Sequence, residues 1–362
     1  MFQIALFALA AVELFREREK RWHPISILLG AAAAWGLVQI AAHRTVYEWH
    51  TWESVVAWIA NLAAFSIALR RGRGGFLQAM LIFAFALSIV ATLTVLTSPL
   101  DKVFWIFDAA MDPHPTLGPF VYRNQYAAFV EAILPLAIVQ AIHDRKRSLL
   151  YIVIAATLFA SVVAGGSRAG SILCLAEILV TPVIAFWRKL ISGKTLTRVV
   201  GGSLAAVAIL TTVVGWEVIW NRLQEPNPYS VRAELVRSSL EMVRDRPLMG
   251  FGLGTWADAY PAYAHFDDGR FVNQAHNDWI QWAVEGGLPF FGILLAIAVL
   301  IFMPAVRSLW GIGMLAVFVH CLLDYPMQQR PALAAFFFAM LGSIAAPDRE
   351  RKSVGKERHP AP

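Results

Sequence analysis

The chain has 362 residues, of which 58% are hydrophobic and only 15% charged, and its mean hydropathy is +0.56. A soluble domain carries about 25% charged residues. These proportions therefore exclude an ordinary soluble enzyme and define an all-α, polytopic membrane protein; a barrel would show short alternating segments instead. The formal net charge of +6 follows from how basic residues are shared among the loops, and no nucleic-acid partner is expected from it.

About 20 apolar residues cross the ~30 Å of hydrocarbon as a helix. Eleven runs approach that length, near 2–15, 24–42, 51–69, 76–97, 125–142, 149–165, 170–187, 199–215, 277–303, 305–323 and 331–346. Ala8-Leu9-Ala10 resembles a cleavage site, but basic residues follow the first run rather than precede it. That order is wrong for a signal peptide, so 2–15 reads as a short retained helix. Cys174 and Cys321 both lie inside apolar runs and read as small buried hydrophobes, forming neither a disulfide framework nor a metal site. Residues 1–362 form one integral membrane domain, with a long loop at 216–276 and a basic tail at 347–362.

Alternate connections hold 20 of the 31 Lys and Arg residues, in Arg16 to Arg21, Arg70 to Arg73, Arg145-Lys146-Arg147, Arg188 to Arg198, Arg307 and the tail from Arg349 to Arg358. Basic residues stay in the cytoplasm, which predicts an outward N-terminus, a cytoplasmic C-terminus and a tail near anionic lipid. Three features then face outward. They are the connection 98–124, with Asp112-Pro113-His114-Pro115 and Arg123-Asn124-Gln125, the turn Gly165-Gly166-Ser167-Arg168-Ala169-Gly170, and the long loop. All three can meet in one outer cleft.

Within the loop a helix is expected from Ser230 to Asp245. Ser230 suits an N-cap and Glu234 the first turn. Val231, Leu235 and Met242 make an apolar stripe, and Arg237 can pair with Glu234 and Glu241. This reads as an amphipathic helix lying on the membrane surface. Arg246-Pro247 ends it.

Arg168 sits at a membrane edge, flanked by glycines that admit close approach. Its guanidinium either clamps a phosphate in bidentate fashion or snorkels to anchor a short hairpin. Arg232 lies where a helix N-terminus favours an anion, or it pairs with a loop carboxylate. His276 and Asn277 open the ninth run. Imidazole is the usual general base near neutral pH, although a histidine bonded to backbone fits the same position. Glu285 falls about 180° away from His276 on an unbroken helix, so it orients His276 only if Gly286-Gly287 breaks that helix. Gly250, Gly252 and Gly254 lack the spacings of a nucleotide loop and read as a turn. Trp256, Trp279 and Trp282 fit an interfacial belt or stack on sugars. Asp324 is placed to pair with Arg330. The sequence has no HExxH, paired thiols or acidic metal cluster, so metal-independent chemistry without a cofactor is expected.

These residues together resemble the O-antigen ligase and polymerase family of bacterial inner-membrane proteins. The likeness rests on Arg168 in its glycine-flanked turn, and on Arg232 followed by Asp245-Arg246-Pro247-Leu248-Met249-Gly250-Phe251-Gly252-Leu253-Gly254. It also rests on Ala275-His276-Asn277-Asp278 with Glu285-Gly286-Gly287, on His320-Cys321-Leu322-Leu323-Asp324-Tyr325-Pro326, and on Arg123-Asn124-Gln125-Tyr126-Ala127. It covers roughly 100–345. The resemblance implies a GT-C-type glycosyltransferase of the inner membrane. Such an enzyme takes a glycan from an undecaprenyl-diphosphate carrier on the periplasmic face and joins it to a lipid or saccharide acceptor, with inversion. It further implies that Arg168 and Arg232 hold the diphosphate and that His276 acts on the acceptor hydroxyl, with Arg123 and Asn277 as further substrate contacts. A ligase, a polymerase, an anion transporter and a structural envelope subunit are the functions the sequence leaves open.

Overall fold

The computed structural model describes residues 2–16, 23–71, 74–108, 116–224, 230–265, 269, 271–328 and 330–347. The Asp112-Pro113-His114-Pro115 segment, the basic stretch 17–22 and the tail beyond residue 347 lie outside the described residues. Eight helices come first: α1 (Phe2–Arg16), α2 (Pro24–Ala41), α3 (Glu48–Arg71), α4 (Gly74–Thr97), α5 (Arg123–His143), α6 (Ser148–Ala164), α7 (Arg168–Trp187) and α8 (Gly193–Val214). A two-residue hairpin, β1 (Lys102–Val103) with β2 (Phe107–Asp108), interrupts them after α4. The long loop holds α9 (Glu217–Leu223), α10 (Ser230–Asp245) and α11 (Trp256–Ala259), which leads into a 3-10 turn at Tyr260–Tyr263. The chain closes with α12 (Asp278–Ser308), α13 (Ile312–His320) and α14 (Pro331–Ala345).

Among the described residues, seven helices are long and apolar enough to cross a membrane: α2, α3, α4, α5, α7, α8 and α12. The apolar helices at Phe2–Glu13, Ser148–Ala164 and Pro331–Ala345 are shorter. The run expected at 305–323 is divided. Leu309 takes a left-handed conformation, with φ of 63°, and Gly311 starts the nine-residue α13. α12 starts where the expected run does, extends past its expected end to Ser308, and kinks at Gly287, whose φ is 71°.

α5 is the centre of the bundle. Of its apolar window, 89% is buried by α6, α7 and α13, whereas only 17% of that of α8 is. A second group forms where α3 packs against α2 and α14, with α12 against α2. Helices approach closely at small residues, as is usual in membranes. A Cβ on Gly170 would lie 2.4 Å from that of Ala127, and one on Gly342 would lie 2.3 Å from the Phe65 carbonyl oxygen.

Two of the three residues of the α10 stripe are covered by protein rather than left free for a membrane surface. Leu235 and Met242 are buried in a small separate core with Phe251, Trp256, Tyr260 and Val284, while Val231 is exposed. The loop thus builds its own apolar contacts, and α10 packs onto α12. The expected Arg237–Glu241 pair forms at 3.8 Å.

Candidate active site

The side chain of Asp324, 1% exposed, is the hub of a polar cluster at one end of the bundle. Oδ2 accepts from Arg232 Nη2 at 2.7 Å and from the Tyr122 hydroxyl at 2.9 Å. It also accepts from Asn124 Nδ2. Oδ1 accepts from the Tyr325 amide at 2.9 Å and faces His276 Nδ1 at 3.4 Å. Arg232 also donates to the Leu323 carbonyl at 2.9 Å. The side chains of Arg232 and His276 keep 25% and 26% of their surface open, so the carboxylate is interior while the two groups it orients reach the edge.

Electrostatics agree with this arrangement. Burial pushes the Asp324 carboxyl up, but the hydrogen bond with His276 and the charge of Arg232 outweigh it and hold the group below the usual carboxylate range. Burial, reinforced by the Asp324 charge, raises the Tyr122 hydroxyl well up, so it stays protonated and donates. The Tyr122 ring stacks on Tyr325 at 5.0 Å, and Tyr325 meets the His276 ring edge-on at 4.8 Å. His276 itself has a φ of 52°. A non-glycine residue in this region is strained and is held there by its surroundings.

Arg168 joins the cluster through its neighbour. Ser167 caps α7 by accepting from the Gly170 amide at 3.2 Å and donates to Asn124 Oδ1 at 2.7 Å. Asn124 in turn holds Asp324. The hydrogen-bonded series Ser167–Asn124–Asp324 thus connects the start of α7 with Arg232 and His276. Arg168 donates to the Arg222 carbonyl at 2.8 Å, and a Cβ on Gly166 would lie 3.1 Å from Arg222 Cδ. Arg222, on α9, therefore brings a further guanidinium beside the turn. Arg123 opens α5 between Tyr122 and Asn124 and is half-buried.

Asn277 is engaged by the protein at both ends of its amide. Oδ1 caps α12 by accepting from Ile280 at 3.0 Å, and Nδ2 donates to the Leu322 carbonyl at 2.9 Å. With Asp278, which accepts from the Met327 amide at 3.0 Å and donates its own amide to the Cys321 carbonyl at 2.9 Å, it pins the turn that carries Asp324.

Other expectations are corrected. Asp324 pairs with Arg232 and His276 rather than with Arg330. Glu285, by contrast, acts as the packing carboxylate expected of it: although Gly287 breaks the helix, its Oε2 accepts from the Gly254 amide at 3.0 Å and its Oε1 from Gln281 at 2.9 Å, and neither orients His276. Gly250, Gly252 and Gly254 all have positive φ. Their loop plugs the α12 kink, where the Phe251 and Gly252 amides bind the Val284 and Glu285 carbonyls and Trp35 and Gln39 bind those of Gly286 and Glu285. The three glycines thus serve packing, as the turn reading required. Trp256 and Trp282 are buried and no belt residues; the Trp256 indole donates to Ser239 at 3.0 Å and that of Trp279 to the Phe318 carbonyl at 3.0 Å. The cysteines are free and buried. Among the described residues no three His, Cys, Asp or Glu side chains are grouped to hold a metal ion.

Fold and cluster together define an all-α polytopic membrane protein with guanidinium groups, an imidazole and a buried carboxylate gathered at one end of its bundle. Residues 153–295 match the family model described as O-Antigen ligase. The matched stretch includes Arg168, Arg222, Arg232, His276 and Asn277 but ends before Asp324. No curated protein matches the chain.

Proposed function

We propose that this protein is an O-antigen ligase-type glycosyltransferase that moves a glycan from an undecaprenyl-diphosphate carrier to an acceptor sugar at the periplasmic face of a bacterial inner membrane. The observation that carries the reading is the single carboxylate, Asp324, bonded to both Arg232 and His276. A carboxylate facing Nδ1 favours the tautomer with the proton on that nitrogen, leaving Nε2 as the base. Nε2 has no hydrogen-bond partner among the described residues. Arg168 and Arg232 are the groups assigned to the diphosphate, with Arg222 beside Arg168.

In the reaction the acceptor oxygen attacks the anomeric carbon. Its proton passes to His276 Nε2 as the carbon–oxygen bond to the diphosphate breaks. The electron pair leaves with the diphosphate, and the guanidinium groups stabilise the charge that builds there. Attack opposite the leaving group inverts the anomeric centre. Placement at the periplasmic face is supported by the basic residues that follow α5 and α7, at Arg145-Lys146-Arg147 and Arg188-Lys189, at the helix ends remote from the cluster.

The test is transfer by purified protein from a carrier-linked glycan to candidate acceptors, with His276→Ala as the control. The reading expects transfer that the variant loses while keeping normal expression and insertion; near-wild-type transfer by the variant overturns it. Glycan profiles of a deletion strain separate the enzymes: carrier-linked chains accumulate without a ligase, and single-unit glycans appear without a polymerase.

A further inference from the structure

Of the segment His320 to Pro326, Asp324 and Tyr325 take part in the site, whereas His320 is wholly buried. His320 closes α13, and its carbonyl accepts from the amides of Leu323 at 2.8 Å and Asp324 at 3.0 Å, so the turn that carries the hub is folded directly onto it. Its Nδ1 lies 2.7 Å from Oε1 of Glu131, a residue of α5 with no exposed surface. Glu131 stands seven residues after Asn124, two turns along the same face of α5. Asn124 binds the Asp324 carboxylate, and Glu131 binds the residue at which the turn starts. α5 thus grips the His320–Asp324 turn at both ends. α13 also approaches α5 closely, since a Cβ on Gly313 would lie 2.3 Å from the Glu131 carbonyl oxygen. Gly313 and His320 are again seven apart, on one face of α13.

The cost of this pair shows what it supplies. Oε2 of Glu131 and Nε2 of His320 are buried with no hydrogen-bond partner among the described residues, so the pair makes one bond and leaves two polar atoms unsatisfied. Each such atom is costly, and an apolar pair of similar volume would join α5 to α13 as well or better. Cohesion therefore does not account for the pair. A polar bond adds direction: it forms in one register of α13 on α5, and that register fixes where the turn presents Asp324. We propose that Glu131 and His320 are positioning residues that hold the Asp324 carboxylate, and through it His276, in the geometry for proton transfer. The inference rests on the glycosyl-transfer reading and adds to it a support from within the bundle. Glu177, on α7, is the internal comparison. It is 2% exposed, and neither of its carboxyl oxygens has a hydrogen-bond partner among the described residues, so it is an equally buried carboxyl that does not hold the turn.

The experiment uses the full chain in lipid nanodiscs, with isotope-labelled histidine. Thermal midpoints, the kinetics of transfer from a carrier-linked glycan, and the ring-nitrogen resonances of His276, assigned with His276→Ala, are recorded for each variant. Glu131→Met combined with His320→Leu replaces the pair by an apolar one. It should fold with a thermal midpoint at or above that of the wild type. Its kcat should nevertheless fall about ten- to a hundredfold, the usual cost of removing an outer partner of a functional group, with KM unchanged. His276 should pass from one tautomer to a mixture of two. Glu131→Gln keeps an acceptor for Nδ1 and should keep most of kcat, and Glu177→Gln should match the wild type. The proposal is overturned if the folded apolar pair transfers at the wild-type rate with unchanged His276 resonances, or if either glutamine variant loses as much as the apolar pair does. It is also overturned if the apolar pair fails to fold, because the role of the pair would then be cohesion. Kinetics and resonances separate the two readings. A wild type without transfer removes the glycosyl-transfer reading, while a His276 resonance that shifts with the apolar pair still sustains the support. Transfer that the apolar pair retains in full leaves that reading standing and removes the support.

Discussion

Replacing Asp324 with Asn tests the hub directly, because the side chain keeps its shape and loses its charge. Whichever oxygen becomes an NH2 group, a set of donors is left facing a donor. At Oδ2 these are Arg232, Tyr122 and Asn124; at Oδ1 they are the Tyr325 amide, Tyr122 and His276. A hydrogen bond to a charged group contributes about 1.5–3 kcal/mol, and removing one partner of a buried pair costs about 3–5 kcal/mol. Arg232 and His276 are each about a quarter exposed, so water recovers part of that loss. The expected destabilisation is therefore near the lower bound, about 3 kcal/mol. The rate should fall further than the stability. Freed from its carboxylate, His276 samples the wrong tautomer and orientation, a defect that costs about 10²–10⁴ in rate when the orienting acid of a catalytic histidine is lost. Thermal unfolding of the purified variant and its transfer rate measure the two effects. Wild-type values for both would refute the role given to Asp324.

Arg168→Lys should lose most transfer activity, because a point charge does not reproduce a bidentate fork; equal activity in a carrier-glycan assay would favour a purely anchoring arginine. The Asp324 carboxyl titrates lower in the folded state than in the unfolded chain. Its contribution to stability is thus fully present above the ordinary carboxylate value of about 4 and is lost as pH falls through the folded-state value. Thermal midpoints taken from neutral to acid pH should drop in that window, and Asp324→Asn should flatten the drop. Gly250→Ala should abolish folding yield in size-exclusion profiles. A Cβ there meets the Glu285 carbonyl oxygen at 2.4 Å, and the φ of 64° alone adds about 1–2 kcal/mol for a residue with a side chain. Gly201→Ala, with nothing within 4 Å of the added carbon, should leave the yield unchanged.

The helices were readable because each carries its own evidence in an apolar run, a cap or a break. α5, α7 and the loop helix α10 fall within a few residues of where hydropathy, Ser230 and Arg246-Pro247 put them. The Asp324 hub was not readable in that way. Its partners lie 92 residues away at Arg232 and 200 away at Asn124, whereas Arg330, six residues on, looked like the natural partner. Local spacing also misassigned the apolar face of α10 and the tryptophans. A stripe of Leu235 and Met242 shows that something apolar covers it, but not whether that cover is lipid or Phe251 and Trp256. The division after Leu309 was hidden because the residues on both sides are equally apolar.

If the cluster binds a diphosphate as proposed, its position at three helix starts would let few charged side chains serve that anion. Tyr122 and Asn124 stand at the start of α5, Ser167 and Arg168 at the start of α7, and His276 and Asn277 at the start of α12. Each helix carries the equivalent of roughly half a positive charge at that end, and the hydrogen bonds of Ser167, Asn124, Tyr122 and Asp324 hold the first turns together. Three such ends directed at one region add positive potential without any further buried ion to desolvate. The same field helps explain why Asp324 stays ionised although it is almost fully buried. On the proposed diphosphate assignment it would also reduce the work asked of Arg168 and Arg232, whose forks would need only to fix the geometry of an anion that the helix termini already favour. On this account the turn Gly165 to Gly170 is short because α6 must end, and α7 begin, within reach of Asn124. A spacer inserted there should weaken pyrophosphate binding even with both arginines intact.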